Sequence, residues 1–224
     1  MSATKYKVRC YGDHPRASFD TVRMEISVGQ EYHEGQKLVA AMDWAKRHFD
    51  RIVLIVGDRI QGYNIAFKEG VNLIQAFEKA TKKGDEWIER NQSIIADAEI
   101  TRWSDWLSHP EYAMNRAAVG RLYAENEEFR NAVRENIKGV WERRFPVQAQ
   151  DQRFLALSEQ FVLEETAVFA CAYKDLKGVS AYPGDFSKTW SMFKDSEIPH
   201  APEGLKYSHC LRLQFRRREP QLAA

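Results

Sequence analysis

Arg51-Ile52-Val53-Leu54-Ile55-Val56-Gly57 decides the fold. Five aliphatic residues in a row, four of them β-branched, show no polar alternation, which is the pattern of a strand buried on both faces of a parallel sheet. Immediately upstream, residues 34–49 place Leu38, Ala41, Met42, Ala45 and Phe49 at helical spacing, an amphipathic helix. Before that, Thr21-Val22-Arg23-Met24-Glu25-Ile26-Ser27 reads as a second strand with Val22, Met24 and Ile26 on one face. Strand, helix and buried strand in succession make a βαβ unit, so the expected class is α/β: a Rossmann-like, mostly parallel sheet flanked by helices.

The rest of the chain fits around that unit. Residues 5–11 alternate as a first strand, and 12–20 form a loop. After a loop at 58–62, a long helical region spans 72–96, with Gly84-Asp85 as a bend point. A strand at 98–103 follows, then helix over 111–144, interrupted near Glu125-Asn126. The helix at 151–176, richest in core residues, is closed by Gly178 and leads through an extended segment to Tyr182-Pro183-Gly184. A short helix at 186–193, a Pro-containing loop at 198–204 and a final strand at 208–217 complete the pattern. No repeat or linker divides it, so a single domain over 1–224 is expected.

Composition sets the bounds. Of 224 residues, 44% are hydrophobic and 29% charged, the balance of an ordinary globular core. The 33 basic and 32 acidic residues nearly cancel, so a nucleic acid would have to be met by a local patch. Three scattered cysteines, Cys10, Cys171 and Cys210, suggest neither a disulfide framework nor a zinc site; with no secretory signal and no apolar run of membrane-spanning length, a cytoplasmic protein is expected.

Ser27 is the candidate nucleophile. It ends a buried strand and runs into Val28-Gly29-Gln30-Glu31-Tyr32 at the rim of the sheet, where open α/β folds bind ligands. A plain capping or turn role explains the same position. No dinucleotide-binding glycine turn, P-loop or Gly-x-Ser-x-Gly elbow is present. The six histidines show no metal-ligand spacing, and neither a metal nor a cofactor is expected. A hydrolase triad would need His33 or His209 brought to Ser27 by folding.

Three separated segments together resemble the cyclodipeptide synthases. Ser27-Val28-Gly29-Gln30-Glu31-Tyr32 looks like that family's nucleophile turn. Phe161-Val162-Leu163-Glu164-Glu165 is similar to the helical tyrosine-x-x-x-glutamate pair lining its site, with Phe161 in place of the tyrosine. Tyr182-Pro183 is a Tyr-Pro dipeptide that marks one of two subgroups, and Gln30, where the other subgroup has asparagine, agrees with it. The strand at 51–57 with Asp58, the Gly62-Tyr63-Asn64 turn and Arg102-Trp103-Ser104-Asp105 are supporting matches. The resemblance covers about residues 22–193.

The resemblance implies an enzyme, an aminoacyltransferase that uses two aminoacyl-tRNAs to make a cyclic dipeptide (diketopiperazine), on a fold like the class I aminoacyl-tRNA synthetase catalytic domain. That class's ATP-binding signatures are absent, and an aminoacyl ester, already activated, needs no adenylate step. Ser27 would carry an aminoacyl group in a ping-pong transfer, with backbone N–H groups around Val28 to Gln30 facing the developing oxyanion. Glu165 would move the amine proton and Tyr182 would serve ring closure. Gly29, Gln30 and Phe161 would line the substrate site, and Glu25 would favour a basic or hydrogen-bonding first side chain. Lys79, Lys82, Lys83 and Arg90 lie on the helix that carries the family's basic patch, diluted here by Glu78, Asp85, Glu86 and Glu89. Arg130, Arg134 and Lys138 form a second stripe, followed by Arg143 and Arg144, and Arg216 to Arg218 a third cluster. Any of these could meet phosphates or simply face solvent. The competing readings are a non-catalytic aminoacyl-tRNA-binding protein of the same fold and a serine hydrolase.

Overall fold

A computed structural model of the chain describes residues 4–12, 18–144, 151–184, 188–193 and 198–217. The side chains of Arg143 and Arg144, Arg218, loop residues 13–17 and the 186–187 start of the expected short helix lie outside the described residues. The elements are β1 (Tyr6–Tyr11), β2 (Thr21–Ser27), α1 (Gly35–Lys46), β3 (Arg51–Gly57), α2 (Gly62–Glu69), α3 (Leu73–Ile95) and β4 (Glu99–Arg102). They continue with α4 (Trp103–Leu107), α5 (Tyr112–Glu125), α6 (Glu127–Arg144), α7 (Gln152–Leu176), β5 (Val179–Tyr182), α8 (Lys188–Phe193) and β6 (Cys210–Arg217). The protein is α/β, with a six-stranded, mostly parallel sheet flanked by helices, as expected. Its order is β1-β6-β5-β2-β3-β4, and only β1 runs antiparallel to its neighbour.

The sheet divides the core. Val22, Met24, Ile26, Leu54 and Val56 pack with residues of α1 and with Trp87 of α3. Val53 and Ile55 point the other way, into a second cluster dominated by α7. β3 is therefore buried on both faces, which its unbroken aliphatic run requires.

Helix boundaries follow their caps. Asn72 opens α3 by accepting the Gln75 N–H, Asp151 opens α7 by accepting those of Arg153 and Phe154, and Asn126 interrupts α5 and α6 and accepts the Phe129 N–H. Two expectations change. The segment after Asp58 is a 3-10 turn, Arg59–Gln61, running directly into α2. α3 passes through Gly84 without a break because Gly84 is a contact point: a Cβ there would lie 2.5 Å from the Cβ of Asp58. Gly178 also serves proximity, its Cβ position falling 2.4 Å from the Thr21 carbonyl oxygen, while Lys177, at φ 41°, makes the left-handed cap of α7.

The topology places a crevice. β2 pairs with β3 along its whole length to Ser27↔Gly57, but with β5 only at Val22↔Val179 and Arg23↔Ser180. Beyond Arg23 the two parallel strands part, and their carboxyl ends, Ser27 and Tyr182, flank the gap. This is the switch point of the sheet, where strand order turns from β2–β3 to β2–β5, and ligand sites form there. No helix among the described residues is long and apolar enough to cross a membrane.

Candidate active site

The turn after Ser27 is built by its backbone. The Gln30 N–H closes on the Ser27 carbonyl at 3.1 Å, and Gly29, at φ +88°, supplies the third position of a type II turn. An added Cβ at Gly29 would meet nothing within 4 Å, so conformation and not crowding calls for glycine. Of the backbone donors expected around this turn, the Gln30 N–H is spent on the turn itself. The Val28 and Gly29 N–H groups have no such backbone bond among the described residues.

Ser27 Oγ lies 3.1 Å from the Tyr182 hydroxyl, which lies 2.8 Å from the Tyr32 hydroxyl. Three hydroxyls from β2, β5 and the 3-10 turn Glu31–His33 thus form a chain. Burial, with the neighbouring Tyr32, raises the Tyr182 pKa well above the usual phenol value, so Tyr182 keeps its proton. His33, a residue considered for a triad, sits beside Ser27 but bonds its backbone: the Ser27 N–H donates to Nδ1 at 2.9 Å. The serine hydroxyl turns to a tyrosine instead of an imidazole. His209, the other triad candidate, packs its ring on Phe19 at 5.2 Å.

These groups open onto a cavity of about 440 Å³, a volume suited to a small organic ligand. Ser27, Gly29, Gln30, Tyr32 and Tyr182 form one wall. Tyr63, Asn64 and Lys68 of α2 and Lys83 of α3 form another, and Phe161 and Glu165 of α7 line a third with Leu157 and Val162. α6 closes the cavity with Asn136, Ile137 and Val140. Ser27, Glu165 and Tyr182, far apart in the chain, therefore share one cavity with Gly29, Gln30 and Phe161.

The adjacent glutamates of α7 divide their roles. Glu164 is buried and accepts the Tyr63 hydroxyl at 2.8 Å and the Trp103 indole N–H at 2.9 Å. Glu165 faces the cavity, and desolvation, reinforced by the charge of Glu25, pushes its pKa up to about 8. Phe161 has Tyr63 edge-on at 6.4 Å, but the Tyr63 hydroxyl is committed to Glu164 and does not stand in for the hydroxyl that Phe161 lacks.

Glu25 corrects an expectation. It does not line the cavity; it is 6% exposed, and its Oε1 accepts the Ser180 hydroxyl at 2.6 Å and the Tyr173 hydroxyl at 3.2 Å. Burial raises its pKa and Arg23 opposes that rise. Arg23 is itself fully buried, with its guanidinium 3.8 Å from the Tyr173 ring centre and donating to the Tyr207 carbonyl at 2.8 Å. Glu25 belongs to this polar cluster beneath the sheet and meets the site through charge.

The basic residues separate in the same way. Lys79 pairs with Glu69, Arg90 pairs with Glu34, and Lys82 and Lys83 are exposed, with Lys83 on the cavity wall. Arg130 is half-buried and donates to the Tyr123 and Ala124 carbonyls at the end of α5, which makes it a helix cap more than a phosphate contact. Arg134 is exposed on α6, beside the Tyr123 hydroxyl. Sequence reading assigned no site role to Tyr32, Asn64 or Lys68 and weighed His33 only as a triad base. Only Tyr32 and His33 carried a signal, their closeness to Ser27 in the chain.

The family model for cyclodipeptide synthases matches residues 10–181. Among solved structures, a cyclodipeptide synthase from Fluoribacter dumoffii is 27% identical with a TM-score of 0.82, covering 95% of this chain and 100% of its own. A Mycobacterium tuberculosis protein, whose structure relates cyclodipeptide synthetases to type I tRNA synthetases, aligns at 14% identity and TM-score 0.66 over 97% of this chain and 96% of its own. A cyclodipeptide synthase from Candidatus Glomeribacter gigasporarum, solved bound to Phe-tRNA, aligns at 15% identity and TM-score 0.69 over 91% of each chain. The last two bear on the fold alone. No curated protein matches the chain.

Proposed function

This chain belongs to the cyclodipeptide synthase family, and on that premise we propose that it joins two aminoacyl groups from aminoacyl-tRNAs into a cyclic dipeptide through a covalent intermediate on Ser27. The observation that carries the reading is the Ser27 hydroxyl at the strand-end crevice, bonded to Tyr182 and sharing its cavity with Glu165. Tyr182-Pro183 with Gln30 supports placing the chain in the Tyr-Pro subgroup, as one catalytic domain.

In the first step Ser27 Oγ bonds to the ester carbonyl carbon of the first aminoacyl-tRNA. The bond between that carbonyl carbon and the ribose oxygen breaks, and the serine proton ends on the ribose oxygen, which leaves with the tRNA. Tyr182, neutral and 3.1 Å away, passes that proton, and Tyr32 extends the path. The Val28 and Gly29 N–H groups are the donors available to the oxyanion. In the second step the amine of the Ser27-bound residue attacks the ester carbonyl of the second aminoacyl-tRNA. The bond from that carbonyl carbon to the ribose oxygen breaks, the ribose oxygen leaves protonated with the second tRNA, and a dipeptidyl-enzyme results. Only the neutral amine attacks, and Glu165, whose raised pKa suits proton exchange with an amine near neutral pH, accepts its proton. The new terminal amine then attacks the Ser27 ester, closing the ring, and the departing serine oxygen takes a proton through Tyr182.

The test is to incubate the full chain with a pool of charged tRNAs and to measure protein mass and small products. An aminoacyl adduct and a cyclic dipeptide, both lost in Ser27→Ala, are expected. Tight tRNA binding with neither adduct nor product would replace this reading with a binding protein of the same fold. Turnover of simple esters without tRNA would point to a hydrolase.

A further inference from the structure

His33 is 1% exposed and sits against the nucleophile turn, its Nδ1 meeting the Ser27 main chain. Nδ1 lies 2.9 Å from the Ser27 nitrogen and 3.4 Å from the Ser27 carbonyl oxygen; the shorter contact, with a group that can only donate, assigns Nδ1 a lone pair and puts the proton of the neutral ring on Nε2. Nε2 has no hydrogen-bond partner among the described residues. The ring is instead enclosed by aromatic neighbours, Tyr32 edge-on at 4.7 Å and Tyr182 at 5.6 Å. Its own backbone is held from α3, where the buried Trp87 indole donates to the His33 carbonyl at 3.0 Å. A buried histidine whose proton has no partner is costly to keep unless its other nitrogen is needed.

We propose that His33 is a positioning residue for the nucleophile: its Nδ1 fixes the Ser27 main chain, and its ring fixes the two tyrosines that carry the proton path from the Ser27 hydroxyl. The inference rests on the reading of Ser27 as nucleophile. One ring thus sets both the serine Cα and the direction in which its hydroxyl finds Tyr182. Burial pushes the His33 pKa down to about 3, so the lone pair on Nδ1 persists at any working pH and the imidazole takes no part as a base. Displacing a reacting group by about 1 Å costs on the order of a hundredfold in rate, which is the loss expected when this support is removed.

Three variants of the full chain test it. His33→Phe keeps a ring but no acceptor, His33→Gln carries its amide oxygen beyond the Nδ1 position, and His33→Asn can place an amide oxygen at that position. The rate of Ser27 adduct formation in a single turnover with charged tRNA, the affinity for that tRNA and the thermal midpoint are measured for each. Phe and Gln variants are expected to slow adduct formation about a hundredfold with tRNA affinity unchanged, while Asn recovers most of the rate. A folded Phe variant reacting at the wild-type rate overturns the proposal. If the Phe variant does not fold, the Asn and Gln variants decide, and equal rates for the two overturn it. A wild-type chain that forms no adduct overturns the nucleophile reading and this proposal with it. An adduct in wild type, unaffected in all three variants, overturns this proposal alone.

Discussion

At the scale of single residues, the pairing of Glu165 with Glu25 sets the pH response. Glu165 titrates near 8 because it is desolvated and because Glu25 adds negative charge behind it. To act as the proposed base it must be ionised, so the rate of dipeptide formation is expected to rise with pH through about 8. Glu25→Gln keeps an oxygen to accept the Ser180 and Tyr173 hydroxyls but removes the charge. The rising limb should then move to lower pH, as read from single-turnover product formation across a pH series; a limb that stays in place would show that Glu25 does not tune the base. Stability carries the opposite sign. A carboxyl whose folded pKa lies above its unfolded value of 4.5 binds the extra proton in the folded state. Its stabilising contribution is full below pH 4.5 and is lost as pH rises through about 8. Glu165→Gln should flatten that part of the stability–pH curve and leave the Ser27 adduct accumulating without product, checked by denaturant melts and intact mass.

At the scale of elements, the glycines tie helices to the sheet. Gly84 lets α3 approach Asp58, whose carboxylate is bound by Arg102, which in turn pairs with Asp85 and donates to the Thr81 carbonyl of α3. Gly84→Ala gains about 1 kcal/mol of helix propensity but forces overpacking that costs about 1–3 kcal/mol. Crowding wins because the neighbour, Asp58, is pinned and cannot give way. A lower denaturation midpoint with an unchanged slope is expected, and a more stable variant would refute the close contact. Gly62 has the same cause: a Cβ there would strike the Phe77 ring at 2.2 Å. Such contacts explain what the sequence concealed. β3 was legible to the residue because burial on both faces writes itself as an unbroken aliphatic run. α2 was not, because Gly62 reads as a breaker until Phe77 of α3 is packed on it. Ser27, Glu165 and Tyr182 were legible only as parts of a family pattern, since nothing local shows three segments meeting at one crevice. Glu25 looked like a cavity residue from its place two before Ser27, and alternation along β2 does put both on one face, but one step deeper along the strand the Tyr173 and Ser180 hydroxyls close over it. His33 was weighed only as a triad base, because its contact is with a main-chain N–H, which no residue pattern encodes.

At the scale of the whole molecule, a net charge of +1 gives tRNA no general attraction, so affinity must come from where the free cations lie. Lys79 and Arg90 are each neutralised by a carboxylate, and Arg130 is turned onto the end of α5. Lys82 and Lys83 remain exposed on α3, and Lys83 also reaches the cavity wall. An acceptor end entering the cavity would therefore lay its phosphates along this stretch of α3, near Lys68 at the end of α2. Each phosphate neutralised contributes roughly 0.7–0.9 to the slope of log affinity against log salt. Replacing Lys82 and Lys83 together by alanine should lower that slope by about 1.5 and weaken charged tRNA binding most at low salt. Replacing Arg134 on α6 should leave the slope nearly unchanged. Binding titrations over a salt series decide between the two helices: a slope that responds to Arg134 and ignores the α3 lysines would move the tRNA to the α6 side of the cavity. The positions of Ser27, Tyr182 and Glu165 are shared by either path, so adduct chemistry would survive that reversal while the direction of tRNA entry would not.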